Sequence, residues 1–245
     1  MTSDVGLAAI QFQTDFVLDG AGRICTTNDP DRSPAPRFAL FGGASGNVYG
    51  VRADVTDGVA AQLRALAASE PPFVDRSAAP RHLHRYIDLL SCDAPSPEPS
   101  LGLTYILPSD LAFQHDAQLI CSDSIAGQAL RATLVAQGVP AGLAKMGFAD
   151  VSEFWDPWCV ALHDGEVSSV AFAARLSGTG AELGLATSPR LRGRGYAAAA
   201  TAGWTRIEAL RSRVLFFSTD QTNISSQRVA ARLGLRFLGA RLAIC

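Results

Sequence analysis

The chain has 245 residues, of which 48% are hydrophobic, and its formal net charge is −2. This length suits one large domain or a domain with an accessory layer, and the apolar content excludes a largely disordered chain. The near-neutral charge gives no electrostatic reason to expect nucleic-acid binding. No apolar run approaches the roughly 18 residues that span a membrane, and the first residues have no charged segment followed by an apolar one. We therefore expect a cytoplasmic protein.

The first part of the chain has the pattern of a small α+β layer. Residues 16–24 predict two strands around a glycine turn, and residues 37–51 predict a hairpin around the sequence GGASG. Residues 57–68 place leucines and alanines at helical spacing, and residues 81–90 predict a second short helix.

A polar segment then separates the two parts of the chain. The run CDAPSPEPS, at 92–100, is rich in Pro, Ser and Asp and predicts an exposed linker. We place a boundary there, between an accessory domain at 1–97 and a second domain at 98–245.

The second part alternates strands and helices. Asp123 or Ser124 is placed to cap a helix that continues to residue 136, and the sequence DGE predicts a tight hairpin turn at 164–166. We expect further helices at 141–146, 195–211 and 224–233, and strands at 101–107, 158–163, 167–175, 182–187, 214–219 and 237–244.

The five cysteines are scattered and include no CxxC pair. This pattern predicts reduced thiols rather than disulfides or a zinc site, and we expect no bound metal.

The most informative stretch is PRLRGRGYAAAATAGW, at 189–204. A helix that begins on a glycine turn has unpaired N–H groups and a partial positive charge at its start, so it suits a phosphate or diphosphate. Gly193 and Gly195 allow a close backbone approach, and Arg192 and Arg194 add charge. The stretch has neither the GxxxxGK[ST] pattern nor GxGxxG, since residue 198 is alanine. An ordinary glycine loop with exposed arginines is the alternative.

A second block decides between these interpretations. After the apolar run VLFFST come Asn223, Ser226 and the step Leu233-Gly-Leu235. With the segment RGRGYA at 192–197, this order resembles the GNAT superfamily of acyl-CoA-dependent N-acyltransferases, over about residues 150–245. The resemblance implies an α+β fold, with a mixed, mostly antiparallel sheet whose central strands splay and are flanked by helices. The N-terminal layer would add to this fold.

The resemblance also implies how the chain would hold acetyl-CoA as co-substrate. The strand at 182–187 would carry a bulge and diverge from the next strand so that the pantetheine arm lies between them. Gly184 fits this strand, since an interior glycine often marks a bulge or a close approach. Asn223 would face this arm or act only as a helix cap. The implied coenzyme-binding residues are Leu185, Ala186, Thr187, Arg192, Gly193, Arg194, Gly195, Tyr196, Ala197, Asn223 and Ser226.

Catalysis in this family is direct attack of an amine on the thioester. Glu182 is the candidate base, with a surface carboxylate as the alternative interpretation. Many relatives have a tyrosine seven residues after the helix-start asparagine as the acid, but this chain has Ala230 there. Ser226 or a water molecule would take that role.

We therefore predict an N-acetyltransferase that acts on a small amine and binds neither nucleic acid nor a membrane. A catalytically silent acyl-CoA-binding or regulatory protein is the alternative, and the sequence leaves a homodimer open.

Overall fold

The structure is a computed structural model that describes residues 2–92 and 97–245. The predicted linker at 92–100 falls partly on residues 93–96, outside the described residues, and its last two residues begin a strand. The helices are α1 (Asp4–Asp15), α2 (Asp57–Ala68), α3 (Leu83–Ser91), α4 (Ile125–Gln137), α5 (Ala141–Ala144), α6 (Tyr196–Trp204) and α7 (Ile224–Arg232). The strands are β1 (Phe16–Leu18), β2 (Ile24–Thr27), β3 (Phe38–Gly43), β4 (Gly46–Val51), β5 (Pro99–Leu107), β6 (Gln118–Cys121), β7 (Trp158–His163), β8 (Glu166–Leu176), β9 (Gly180–Thr187), β10 (Val214–Asp220) and β11 (Arg236–Ile244).

One nine-stranded sheet organises the molecule, in the order β4-β3-β11-β5-β10-β9-β8-β7-β6. Neighbouring strands run antiparallel except β9 and β10, which are parallel. The remaining pair, β1 and β2, forms a small second sheet. This arrangement confirms the predicted α+β fold with a mixed, mostly antiparallel sheet.

The N-terminal layer extends the main sheet. Strand β3 pairs with β11 from Phe38↔Ile244 to Phe41↔Arg241, and β4 completes the predicted hairpin. The side chains of Phe38 and Leu40 join the same core as Leu103 of β5. The division of the chain at residues 97 and 98 stays a prediction, but the two parts share one sheet and one core.

Three elements differ from the sequence prediction. Helix α1 was not predicted, because its buried face carries polar residues such as Gln11, Thr14 and Asp15 and so lacks apolar periodicity. Strand β6 was not predicted, because it is only four residues long and two of these residues are exposed. The helix predicted at 195–211 ends at Trp204. The apolar spacing continues because Ile207 and Leu210 are buried at either end of a separate 3-10 turn.

Within the described ranges, no helix combines the length and the apolar character needed to cross a bilayer.

Candidate functional site

Strands β9 and β10 diverge at the centre of the sheet. Their parallel pairing covers only three positions and ends at Glu182↔Phe216. Beyond this point β9 continues to Thr187 against β8, while β10 continues to Asp220 against β5. Because successive amides of a strand point to opposite sides, every second amide of β9 after Glu182 faces the gap between the two strands.

The predicted bulge in β9 is wrong in its position. The register shift lies in β8, between Ala173 and Arg175, opposite Leu183 and Glu182. Gly184 is required for a different reason, since a Cβ at this residue would lie 2.4 Å from the ring of Phe172. The interior glycine therefore marks a close approach of a side chain and not a bulge, and these are the two usual interpretations of a glycine inside a strand.

The glycine turn joins β9 to α6 in a left-handed conformation. Gly193 has φ +79° and Gly195 has φ +98°, a region that other residues rarely adopt. Gly195 is the N-cap of α6, and it has no side chain that could accept a capping hydrogen bond. The first amides of α6 have no acceptor within the helix, so the helix start can donate to an anion.

Helix α6 is held firmly behind this turn. It is almost entirely buried, and the indole N–H of Trp204 donates to the carbonyl of Pro157 at 2.8 Å. Its small residues allow it to lie directly on the sheet: a Cβ at Gly203 would come within 2.5 Å of the sulfur of Cys159. The turn is therefore a fixed feature at the mouth of the gap.

A cleft of about 750 Å³ connects the turn, the end of β9 and the first turns of α7. Ten of the residues predicted to bind the coenzyme line it: Leu185, Ala186, Thr187, Arg192, Gly193, Gly195, Tyr196, Ala197, Asn223 and Ser226. Arg194 does not line the cleft, and its carbonyl instead forms a hydrogen bond with Nε2 of His115 at 2.9 Å.

The cleft is strongly cationic. Its lining includes Lys145, Arg192, Arg228 and Arg232, and no described lining residue is acidic. Arg232 reaches from α7 to the carbonyl of Gly193 at 3.4 Å, which places its charge beside the turn. Four cations without a counter-charge suit a polyanion.

Three of these cations were not predicted. Arg228 and Arg232 follow Ser225 at three and seven residues on α7, and all three line the cleft. This helical spacing was readable from the sequence as one face. Lys145 follows α5 and approaches the cleft only through the tertiary fold, so it left no local signal.

Helix α7 begins as predicted. The side-chain oxygen of Asn223 accepts a hydrogen bond from the amide of Ser226 at 3.1 Å, so Asn223 is the N-cap. Asn223 also lines the cleft, and the cap and a role towards a ligand are compatible. Ala230 is 1% exposed and packs in the core, so it presents no polar group to the cleft.

Tyr196 belongs to an aromatic group beside the turn. Its hydroxyl lies 2.7 Å from Nδ1 of His163, and its ring contacts His115 with centroids 4.7 Å apart. The Tyr196 side chain thus turns towards a neighbouring surface depression formed with the two histidines. Its backbone stays at the start of α6.

Glu182 lies at the point where the strands separate, but it does not line the cleft. It is 2% exposed. One carboxylate oxygen accepts from the amide of Ser218 at 2.7 Å, and the other lies 3.4 Å from the amide nitrogen of Gln11. Gln11 also donates to the hydroxyls of Thr104 and Ser218. Glu182 is therefore covered by α1, in a buried polar cluster.

The surroundings of Glu182 raise the pKa of its carboxyl group. Burial and then the charge of Asp15 raise the pKa of Glu182 to about 7, against the smaller opposing effects of Arg241, Arg175 and the Ser218 hydrogen bond. A carboxylate with this pKa can accept a proton at neutral pH.

The family model for the acetyltransferase (GNAT) domain matches residues 122–236. This segment, just under half of the chain, resembles a GNAT acetyltransferase domain. The match covers α6 and α7 and the cleft between them, and extends the region of resemblance from about 150 back to 122. No curated protein matches the chain.

Several solved GNAT structures resemble the chain. A GNAT-family protein from Novosphingobium aromaticivorans is 22% identical with a TM-score of 0.43, over 60% of this chain and 64% of that one. A GCN5-related N-acetyltransferase-like protein from Streptococcus suis is 18% identical with a TM-score of 0.46, over 88% and 85%. A GCN5-related N-acetyltransferase from Sphaerobacter thermophilus is 14% identical with a TM-score of 0.46, over 89% and 78%.

The described residues show no candidate metal centre. Over residues 2–92 and 97–245, no three His, Cys, Asp or Glu side chains are grouped so that they could hold an ion.

Proposed function

We propose that the protein transfers an acetyl group from acetyl-CoA to the amine of a small molecule. The observation that carries this proposal is the cationic cleft, which joins an uncapped helix start to the gap between β9 and β10. Acetyl-CoA combines a diphosphate with an extended arm, and it supplies an acyl group already activated as a thioester.

The diphosphate fits the glycine turn. The amides at the start of α6 would donate to it, and Arg192 and Arg232 would neutralise its charge. Lys145 and Arg228 leave further positive charge for the remaining phosphate of the nucleotide. Leu185 and Thr187 alternate with Ala186 along β9, and their backbone groups, which face the gap, would hold the arm. Ala186 lies between them, and its carbonyl accepts from the hydroxyl of Ser169 in β8.

The same strand would serve the chemical step. A β9 amide that faces the gap can donate to the thioester oxygen as negative charge develops there. Ser226 is half-buried in the cleft wall, and its hydroxyl can donate a proton to the departing sulfur. No covalent link to the protein is required for direct attack by the amine.

We propose Glu182 as the group that receives the amine proton. Its pKa of about 7 suits this role. Because α1 covers it, the proton would pass through a hydroxyl or water in the cluster beside Ser218, at the position where β10 leaves β9.

The burial of Glu182 and the alanine at 230 also favour the alternative of a catalytically silent acyl-CoA-binding protein. The two functions share the cleft and differ in turnover.

The free cysteines of the described chain suit a reducing compartment, and we propose that the protein is located in the cytoplasm.

The test is to mix the protein with acetyl-CoA and a panel of small amines while following the release of free thiol. Binding of acetyl-CoA is measured separately by calorimetry. Turnover of any amine above the uncatalysed rate supports the enzyme. Binding without turnover across the panel supports the silent protein.

Arg192→Glu tests the cleft itself. We expect this variant to lose acetyl-CoA binding, since it places a negative charge beside the diphosphate. Arg64→Glu makes the same charge change on the exposed surface of α2 and should bind as the wild type does. If Arg192→Glu binds normally, both functions are wrong.

A further inference from the structure

Two cysteines face each other beneath α6. Cys121 ends β6 and lies directly opposite Cys159 of β7, with their sulfur atoms 3.0 Å apart. Both are free thiols. We propose that Cys121 and Cys159 are a reversible oxidation site, which a hydroperoxide converts into an intramolecular disulfide.

The backbone already has the geometry that this bond needs. Directly opposed residues of antiparallel strands have Cα atoms about 4.5 to 5.5 Å apart, and disulfides span about 4.4 to 6.8 Å between Cα atoms. The pairing of β6 with β7 is regular through all four positions up to Cys121↔Cys159. The sulfur atoms can therefore close to bonding distance by side-chain rotation.

Helix α6 leaves room for the sulfurs. Gly203 is the residue of α6 that lies over the pair, and a Cβ there would come within 2.5 Å of the sulfur of Cys159. Its carbonyl oxygen lies 3.8 Å from the sulfur of Cys121. A larger residue at 203 would occupy the space in which the two thiols meet.

The two thiols differ in accessibility and acidity. Cys159 is fully buried, whereas Cys121 is half-buried. The hydrogen bond between them lowers the pKa of Cys121, against the opposing effects of burial and of the charge of Asp123, and the guanidinium of Arg206 adds a smaller lowering effect. The same hydrogen bond and burial raise the pKa of Cys159. Cys121 is therefore the thiol that reacts first, since the thiolate is the nucleophile.

The reaction balances in two steps. The sulfur of Cys121 attacks the peroxide oxygen, the O–O bond breaks, and the sulfenic acid of Cys121 forms while the other oxygen leaves as an alcohol or water. The sulfur of Cys159 then attacks the sulfur of Cys121, the S–O bond breaks, and hydroxide leaves as water with the proton of Cys159. The two cysteines lose two electrons and two hydrogens, and the hydroperoxide is reduced. Cellular dithiols can reverse the bond by exchange.

The neighbouring thiol determines the product. A lone sulfenic acid can be oxidised further to the sulfinic acid, which is generally irreversible. With Cys159 in contact, disulfide formation competes directly with that step. The remaining cysteines, Cys25, Cys92 and Cys245, are exposed and have no cysteine partner among the described residues.

The test uses the full chain with Cys25→Ser, Cys92→Ser and Cys245→Ser, so that only the pair remains. Hydrogen peroxide is the probe, and the intact mass is measured after alkylation under denaturing conditions. We expect a loss of two hydrogens with no alkylated cysteine, a linked peptide containing Cys121 and Cys159, and full recovery of both thiols on reduction. Peptide mapping of the wild-type chain should give the same link.

Adding Cys121→Ser to that background provides the matched control. Cys159 should then remain a free thiol after the same treatment, because its burial protects it. The proposal is wrong if peroxide leaves both thiols of the pair alkylatable, or if Cys121 accumulates as sulfinic acid without a linked peptide. Circular dichroism before treatment verifies that each variant is folded, and the wild-type map decides the question if one is not.

Discussion

A single side chain, Glu182, connects the two strands at the point where they part. Its carboxylate accepts from the amide of Ser218, two residues beyond the last paired position of β10. A β9 carbonyl would satisfy that amide if the ladder continued. Glu182 thus ends the pairing without leaving a buried amide unsatisfied, which would be costly. The same bond holds the carboxylate at the apex of the gap.

The raised pKa of Glu182 predicts a pH dependence of stability. The folded chain binds this proton up to a pKa of about 7, against 4.5 for an ordinary glutamate. Between these values the unfolded state binds fewer protons than the folded state, so this contribution to stability is complete below pH 4.5 and is lost as the pH rises through 7.

Urea unfolding of the wild type and Glu182→Gln between pH 4.5 and 8 measures this contribution. Glutamine keeps an acceptor for Ser218 but has no proton to lose. We expect the free energy of unfolding of the wild type to fall relative to the variant as the pH rises to about 7. Parallel curves would contradict the assignment.

In an active enzyme, the same substitution should reduce kcat by about 10²-fold or more with unchanged acetyl-CoA affinity.

Gly195 carries a second prediction at this scale. Its φ of +98° strains any other residue, and an added Cβ would lie 2.9 Å from His115. Gly195→Ala should lower stability by about 1 kcal/mol or more and weaken acetyl-CoA binding at least tenfold, since it displaces the first amides of α6. Gly178→Ala, at an open position with ordinary φ, is the matched control. Wild-type binding by Gly195→Ala in calorimetry would refute this account of the turn.

Helix α7 contributes a charged face to the cleft. Ser225, Arg228 and Arg232 lie on one side of it, while Ala230 is buried in the core. The helix is therefore fixed by its apolar side, and its arginines are directed along the cleft. This makes α7 a second source of charge, distinct from the glycine turn.

Arg228→Ala and Arg232→Ala should each weaken acetyl-CoA binding about tenfold, the effect expected for a lost hydrogen bond to a charged group. Arg64→Ala on α2 serves as the control. The dependence of Kd on salt concentration should also decrease in both cleft variants. If their affinity and salt dependence equal those of the control, the arginines do not contact the coenzyme.

How far the sequence predicts these elements depends on where the signal lies. Helix α2 was predicted at its observed bounds because Leu63 and Ala67 are apolar residues on its buried face. Helix α1 was not, because its buried face is polar and acquires partners only from distant strands. The glycine turn is local and was predicted. The burial of Glu182 under α1 arises only from the tertiary fold, and no local sequence pattern indicates it.

The whole molecule is built on a sheet that the N-terminal part completes. Strand β3 covers the edge of β11, and Phe38, Tyr86 and Leu242 share the main core. The free energy of folding therefore comes from both parts of the chain, although the family model matches only the second.

A fragment of residues 98–245 should consequently fail to fold on its own. It would expose the edge of β11 and the apolar surface under α2 and α3. We expect no cooperative urea transition for the fragment, and a single transition for the full chain. A cooperative transition in the fragment would instead establish residues 98–245 as an independent domain.

The position of β5 has a consequence for how such chains are cut and compared. Residues 99–107 precede the matched segment, yet β5 lies between β10 and β11, near its end. A piece trimmed to residues 122–236 would lack β5 and all of β11 except its first residue, and so would lose both strands that follow β10 in the sheet. The segment that matches the family model is therefore shorter than the folded unit, and variants of this protein should be designed on the whole unit.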